Sequence, residues 1–142
     1  MYRKIFGTVN DNRSLIPRLI VGLVFLSEGL QKFILPEVTG AGRFEKIGFE
    51  NPAFLAAFVA TFEVISGALI LAGAATRLAA IPILTIMITA IVTTKIPVLI
   101  DEGFWSMAHA ARTDFAMMLL SIYLLIYGAG KWSLDRWMFN FR

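Results

Sequence analysis

The chain has 142 residues, of which 58% are hydrophobic and only 16% are charged, with a net charge of +3. Soluble domains carry roughly 25% charged residues, so this composition indicates one domain in a lipid bilayer. Cysteine is absent, which excludes disulfide and thiolate chemistry, and a single histidine argues against a metal site. The sequence has no run of basic residues, and we therefore expect no nucleic-acid partner.

Four segments are long and apolar enough to cross a bilayer, which takes about 20 residues. In chain order they are roughly 15–35, 52–75, 77–96 and 113–130. The polar stretch before them lacks the pattern of a cleaved signal peptide, so the first segment is interpreted as a retained membrane helix. The alternative is a set of buried helices in a soluble protein. The last two segments have no polar face to present to water, which favours the membrane.

Local signals define the ends of these helices and the arrangement of the chain. Pro52 suits the first turn of the second helix, whereas Gly128 and Gly130 suit the end of the fourth. The tail 131–142 mixes tryptophan and phenylalanine with basic residues, which is typical of a segment lying at the membrane surface. The predicted fold class is all-α: a single integral membrane domain, residues 1–142, forming an antiparallel four-helix bundle with both termini on one side.

The distribution of lysine and arginine predicts the orientation of this bundle. Eight basic residues lie on the side of the termini and five on the opposite side. The first group contains Arg3, Lys4, Arg13, Arg18, Arg77, Lys131, Arg136 and Arg142, and the second contains Lys32, Arg43, Lys46, Lys95 and Arg112. Because basic residues accumulate in the cytoplasm, both termini are predicted to be cytoplasmic.

Ionisable residues inside membrane helices are costly, and they indicate function by default. Seven of them cluster by depth toward the side away from the termini: Glu28, Lys32, Glu63, Lys95, His109, Arg112 and Asp114. They predict one polar pocket that opens outward. Glu28 and Glu63 are the candidate catalytic residues, as proton handlers, and the other five are candidate ligand-binding residues.

Structural interpretations of the same residues stay open. Arg18, Lys32 and Lys95 could extend to the membrane interface, and Glu63 could be a carboxyl that only bonds a neighbouring helix. Asp114 could cap the start of the fourth helix, as could Thr113.

The first helix carries a structural stripe that includes Arg18, Gly22 and Gly29 on one face. Its glycines predict close packing against a second helix. Glu28 precedes Lys32 by four residues, the spacing and order that favour an ion pair on a helix.

Four segments in the same order resemble the DoxX family of small bacterial membrane proteins: "RLIVGLVFLSEGLQKF", "GRFEKIGFENPAF", "EVISGALILAGAATRLAA" and "YGAGKWSLD". The resemblance covers roughly residues 15–135. It implies a four-helix protein of the bacterial inner membrane. It also implies an association with membrane redox chemistry, since a related protein type, DoxD, is similar to a subunit of thiosulfate:quinone oxidoreductase.

Three functions follow as alternatives. In the first, the pocket binds a quinone or a small anion, with quinone as the cofactor, no metal, and a reduced donor that supplies the electrons. In the second, the protein is a non-enzymatic scaffold in the lipid bilayer that docks a redox enzyme partner. In the third, it carries a small molecule, which requires a homo-oligomer because four helices rarely enclose a path.

Overall fold

The computed structural model describes residues 7–138, and within this range the chain is helical without any strand. The helices are α1 (Leu15–Ile34), α2 (Ala41–Ile47), α3 (Pro52–Ala72), α4 (Thr76–Glu102), α5 (Phe104–Tyr127) and α6 (Leu134–Met138). Helices α3, α4 and α5 are long and apolar enough to span a bilayer. Helix α1 has a similar length, 20 residues, but carries three charged side chains. The predicted all-helical membrane fold is confirmed.

The predicted ends of α3 are nearly those of the structure. Pro52 occupies the first turn, where its missing N–H costs nothing. The helix ends at Gly73, which adopts a left-handed conformation with φ of 69°. A short corner then reverses the chain into α4, so that α3 and α4 form an antiparallel hairpin.

Glycines bring the backbones of α1 and α3 into direct contact, as the predicted stripe requires. A Cβ atom placed on Gly29 would lie 2.8 Å from the carbonyl oxygen of Ala60, and one on Gly67 would lie 2.6 Å from the nitrogen of Leu26. Neither position has room for a larger residue. Close helix contacts of this kind are a main source of packing energy in membranes.

Two predicted boundaries are wrong. Helix α4 continues to Glu102 rather than ending near residue 96, because a π-helical turn at Ile91–Lys95 widens the helix just before Pro97. The chain breaks instead at Gly103, with φ of 88°, and α5 begins at Phe104 rather than at Thr113. The charged residues at 95, 101, 102, 112 and 114 and the proline at 97 made the segment 97–112 look like a loop in the sequence, although nearly all of it is helical. The interpretation of Asp114 as a helix cap is therefore also wrong.

The two ends of the described chain meet at one end of the bundle, here called the terminal side. The N–H of Val9 donates to the carbonyl of Tyr127 at 3.2 Å, and the N–H of Lys131 donates to that of Asp11 at 2.8 Å. Both ends therefore lie on the same side, as predicted. The predicted surface segment 131–142 contains α6, but its last four residues lie outside the described range, as do the basic residues at positions 3 and 4.

Arg18 fixes the terminal side by binding four carbonyl oxygens. Its guanidinium donates to the carbonyls of Ile70 at 3.0 Å and Leu71 at 2.6 Å, at the end of α3. It also donates to those of Ala129 at 3.0 Å and Trp132 at 2.5 Å, beyond α5. Arg18 is 4% exposed. It therefore does not extend to the membrane surface but joins α1, α3 and the C-terminal segment.

Asp135 completes the same cluster from α6. Its carboxylate accepts hydrogen bonds from the N–H groups of Ala75 at 2.6 Å and Thr76 at 3.1 Å. The first N–H groups of a helix have no partner within the helix. The start of α4 also carries the positive end of the helix dipole, so it is a favourable position for an anionic side chain. This buried residue was missed by the sequence analysis, because its partners lie about 60 positions away.

Candidate functional site

The half of the bundle away from the terminal side, here called the far side, is hollow. A cavity of about 410 Å³ lies among α1, α3, α4 and α5, and the short helix α2 also contributes to its wall. Phe25, Met87 and Met117 belong both to the cavity wall and to the apolar core. They therefore separate the hollow far side from the packed terminal side.

The deepest polar feature of the cavity is an ion pair between α1 and α3. The Nζ atom of Lys32 lies 2.7 Å from Oε2 of Glu63, and these side chains are only 9% and 4% exposed. Gly29 permits this contact, since a Cβ there would meet Glu63 itself at 2.9 Å. The close approach of α1 and α3 thus brings a lysine and a glutamate together inside the bundle.

Glu28 lies beside this pair and is partly exposed. Its Oε2 atom is 3.8 Å from Nζ of Lys32, and its side chain is 43% exposed. The predicted ion pair between Glu28 and Lys32 is therefore present. Lys32 therefore contacts the buried carboxylate of Glu63 and the partly exposed carboxylate of Glu28. In this arrangement the lysine can relay a proton between the outside and the cavity.

A second ion pair joins α4 to α5 at the cavity edge. Asp114 lines the cavity, and its Oδ2 atom lies 3.2 Å from Nζ of Lys95. Lys95 is the last residue of the π-helical turn and lies outside the cavity lining. The wide turn places the lysine opposite α5, where it neutralises the carboxylate.

The structure does not place His109 and Arg112 at the cavity. Both side chains are exposed on α5, and the guanidinium of Arg112 donates to the carbonyl of His109 at 2.5 Å. His109 lines a separate shallow groove with Glu102 and Trp105. Of the seven residues expected in the pocket, the cavity wall contains four: Glu28, Lys32, Glu63 and Asp114.

Arg43 is the charged residue of the cavity lining that the sequence did not assign to the site. It lies on α2 next to Phe44, and both line the cavity. No helix was predicted between the first two spans, although a seven-residue helix that overlaps the segment "GRFEKIGFENPAF" closes one side of the hollow. With Arg43, the acids and bases in and beside the cavity balance at three each: Glu28, Glu63 and Asp114 against Lys32, Arg43 and Lys95.

Comparisons with known proteins agree with this membrane fold. The sequence profile of the family named DoxX matches residues 14–96. An uncharacterized membrane protein of Mycobacterium tuberculosis is 53% identical over 125 residues, which cover 84% of this chain and 77% of that protein. A Bacillus subtilis protein with the name "Putative oxidoreductase CatD" is 32% identical over 127 residues, which cover 89% of this chain and 87% of that protein. No solved structure matches the chain significantly.

Proposed function

Because the chain belongs to the DoxX family of membrane proteins, we propose that its far-side cavity binds a quinone and that the protein takes part in membrane redox chemistry. One observation carries the proposal: the Lys32–Glu63 ion pair lies buried against an otherwise mostly apolar cavity. A buried ion pair is a poor device for stability alone, and ionisable groups at membrane depth indicate function by default. The similarity to a protein named as an oxidoreductase supports the same reading.

The size and lining of the cavity suit a flat ring with two polar atoms. Ligand cavities are typically about 300–1,000 Å³ and mostly apolar with a few polar groups, and this one has about 410 Å³. Phe25, Phe44 and Phe58 offer aromatic surface to a ring. A quinone is neutral, which matches the balance of acids and bases better than a free anion does.

The residues of the cavity can assist the reduction of a quinone to a quinol. That reaction adds two electrons and two protons and forms two O–H bonds. The ammonium of Lys32 can donate a hydrogen bond to one quinone oxygen and stabilise the negative charge that develops there. The carboxylate of Glu63 keeps Lys32 protonated and in place. In each of two turns, Lys32 gives its proton to a quinone oxygen, and a proton from the outside returns to Lys32 by way of Glu28.

The electrons come from outside the chain in this proposal. The sequence has no cysteine and one histidine, so it offers few ligands for a redox metal of its own. A reduced small anion or a redox enzyme partner is the proposed donor. Arg43, the exposed cation of the cavity wall, is the residue best placed to attract an anionic donor.

A binding assay in lipid nanodiscs tests this proposal. The probe is a naphthoquinone that has a methyl group in place of its tail, and its affinity is compared between wild type and Glu63→Gln. The glutamine keeps the shape of Glu63 and removes its charge, so we expect a roughly tenfold loss of affinity and a loss of donor-to-quinone electron transfer. Glu50→Gln, in an exposed turn, is the matched control and stays at the wild-type value. A wild type that binds no quinone, or a Glu63→Gln variant equal to it, overturns the proposal.

We also propose that the protein lies in the bacterial inner membrane with its terminal side in the cytoplasm. Arg13, Arg77 and Lys131 support this orientation. The chain lacks cysteine, so single cysteines report topology directly. In intact spheroplasts, a membrane-impermeant maleimide is expected to label Lys46→Cys and not Lys131→Cys. The reverse pattern refutes the orientation.

A further inference from the structure

We propose that the cavity opens sideways between α3 and α4, that the ligand enters from the bilayer there, and that its apolar tail remains in this opening. This inference rests on the proposed quinone function and specifies which class of quinone binds. It names the ligand as a lipid-soluble quinone with a long apolar tail, rather than a water-soluble one that enters from the aqueous phase.

Phe58 forms the α3 edge of the opening. The residues of α3 that touch α1 include Ala60, Val64 and Gly67. Successive residues of a helix are about 100° apart, so Phe58 lies on the side of α3 that faces away from α1. Its side chain lines the cavity and yet is 50% exposed. A residue that faces both the cavity and the outside marks the rim of an opening.

Thr85 and Thr89 form the α4 edge. Both line the cavity and both are exposed, like Phe58 on the facing helix. The hydroxyl of Thr85 donates to the carbonyl of Ile81 at 3.1 Å, and that of Thr89 donates to the carbonyl of Thr85 at 2.9 Å. Each donor is therefore satisfied within its own helix, which makes this rim compatible with hydrocarbon.

The other seams of the bundle are closed or polar. Direct backbone contact at Gly29 closes the seam between α1 and α3. The ion pair of Lys95 with Asp114 crosses the seam between α4 and α5. Glu28 lies about 100° around α1 from Gly29, and therefore away from α3; with 43% of its side chain exposed, it makes that side of α1 suitable for protons and water. Among the described long helices, the α3–α4 seam is therefore the one suited to an apolar chain.

Three phenylalanines lead along the outside of α3 to the opening. Phe54, Phe58 and Phe62 follow one another at intervals of four residues, with ring centroids 6.1 and 4.9 Å apart. Their exposed fractions are 69%, 50% and 40%. This continuous aromatic surface gives a tail of isoprene units a place to pack at the level of the cavity.

Obstruction of the opening tests the proposal. Thr89→Trp fills the rim with a large side chain. Ile88→Trp is the matched control, since Ile88 is the neighbour of Thr89 on α4, is 55% exposed and is absent from the cavity lining. Two probes are compared in nanodiscs: a naphthoquinone with a tail of several isoprene units, and the same ring with a methyl group instead. We expect Thr89→Trp to weaken binding of the tailed probe roughly tenfold more than it weakens binding of the short probe. Ile88→Trp changes neither.

The outcomes separate this proposal from the one on which it rests. If Thr89→Trp weakens both probes equally, or neither, the side opening is refuted while quinone binding stands. A wild type that binds only the short probe also refutes the tail. If wild type binds neither probe, the proposed function itself fails and the opening falls with it. Phe58→Ala is a second variant that widens the rim, and we expect it to speed association of the tailed probe; an unchanged rate contradicts the proposal.

Discussion

The buried ion pair of Lys32 with Glu63 can be replaced one partner at a time and then as a pair. The structure gives the direction and the approximate size of the change in the free energy of unfolding for each variant. Glu63→Leu leaves the ammonium of Lys32 buried, with Glu28 at 3.8 Å as its remaining partner. Breaking a buried pair costs about 3–5 kcal/mol. Because Glu28 remains as a partner of Lys32, we expect Glu63→Leu to lower the free energy of unfolding by about 3 kcal/mol. Lys32→Met leaves the carboxylate of Glu63, which is 4% exposed, without its lysine partner. We expect this variant to lower the free energy of unfolding by about 5 kcal/mol.

The double variant Lys32→Met with Glu63→Leu separates the two roles of the pair. Two apolar side chains of similar volume replace the charges, and such exchanges are often neutral or stabilising by about 1–4 kcal/mol. We therefore expect the double variant to be as stable as wild type, although each single variant is not. It should also fail to bind quinone, because the fold remains while the polar groups of the cavity are gone.

The measurement is reversible unfolding in mixed micelles, followed by far-ultraviolet circular dichroism, with the free energies combined in a double-mutant cycle. Independent sites give additive losses within about 0.5 kcal/mol. If the loss of unfolding free energy in the double variant equals the sum of the two single losses, Lys32 and Glu63 do not interact. The ion pair on which the proposed quinone site depends would then be absent.

Three further predictions concern packing and surface charge. Gly29→Ala places a Cβ 2.8 Å from the carbonyl oxygen of Ala60, so we expect unfolding to become easier by about 1–3 kcal/mol; unchanged stability would show that α1 and α3 are not in contact there. Asp135→Ala removes both acceptors from the start of α4 and should cost about 2 kcal/mol, against about 0.5 kcal/mol or less for the exposed control Asp101→Ala; equal losses contradict the capping role. Lys95→Met breaks a partly exposed pair and should cost about 1 kcal/mol in thermal unfolding, and a loss several times larger would mean that the pair is buried.

The sequence predicts the spanning helices well where the signal is local. Pro52 at the start of α3 and Gly128 after the end of α5 mark boundaries through their own backbone chemistry. The pairing of Glu28 with Lys32 likewise follows from a spacing of four residues. Such features depend on neighbours along the chain, and a single sequence contains all the information they need.

Features that depend on distant contacts were missed or misplaced. Arg18 and Asp135 bind backbone groups more than 50 residues away, and no pattern in the sequence specifies those partners. His109 and Arg112 were expected in the pocket because they have the right depth, but depth does not determine the direction of a side chain around a helix. Arg43 was overlooked because the helix that carries it has only seven residues, which is too short to show a helical pattern of hydrophobic residues.

An experimental structure in nanodiscs with the tailed naphthoquinone added shows directly whether the quinone ring binds beside Lys32 and Glu63. We expect ring-shaped density in the far-side cavity, within hydrogen-bond distance of Nζ of Lys32, and a tail that leaves past Phe58. Density for the ring elsewhere on the protein, or a cavity filled by protein side chains with Lys32 and Glu63 apart, would contradict it.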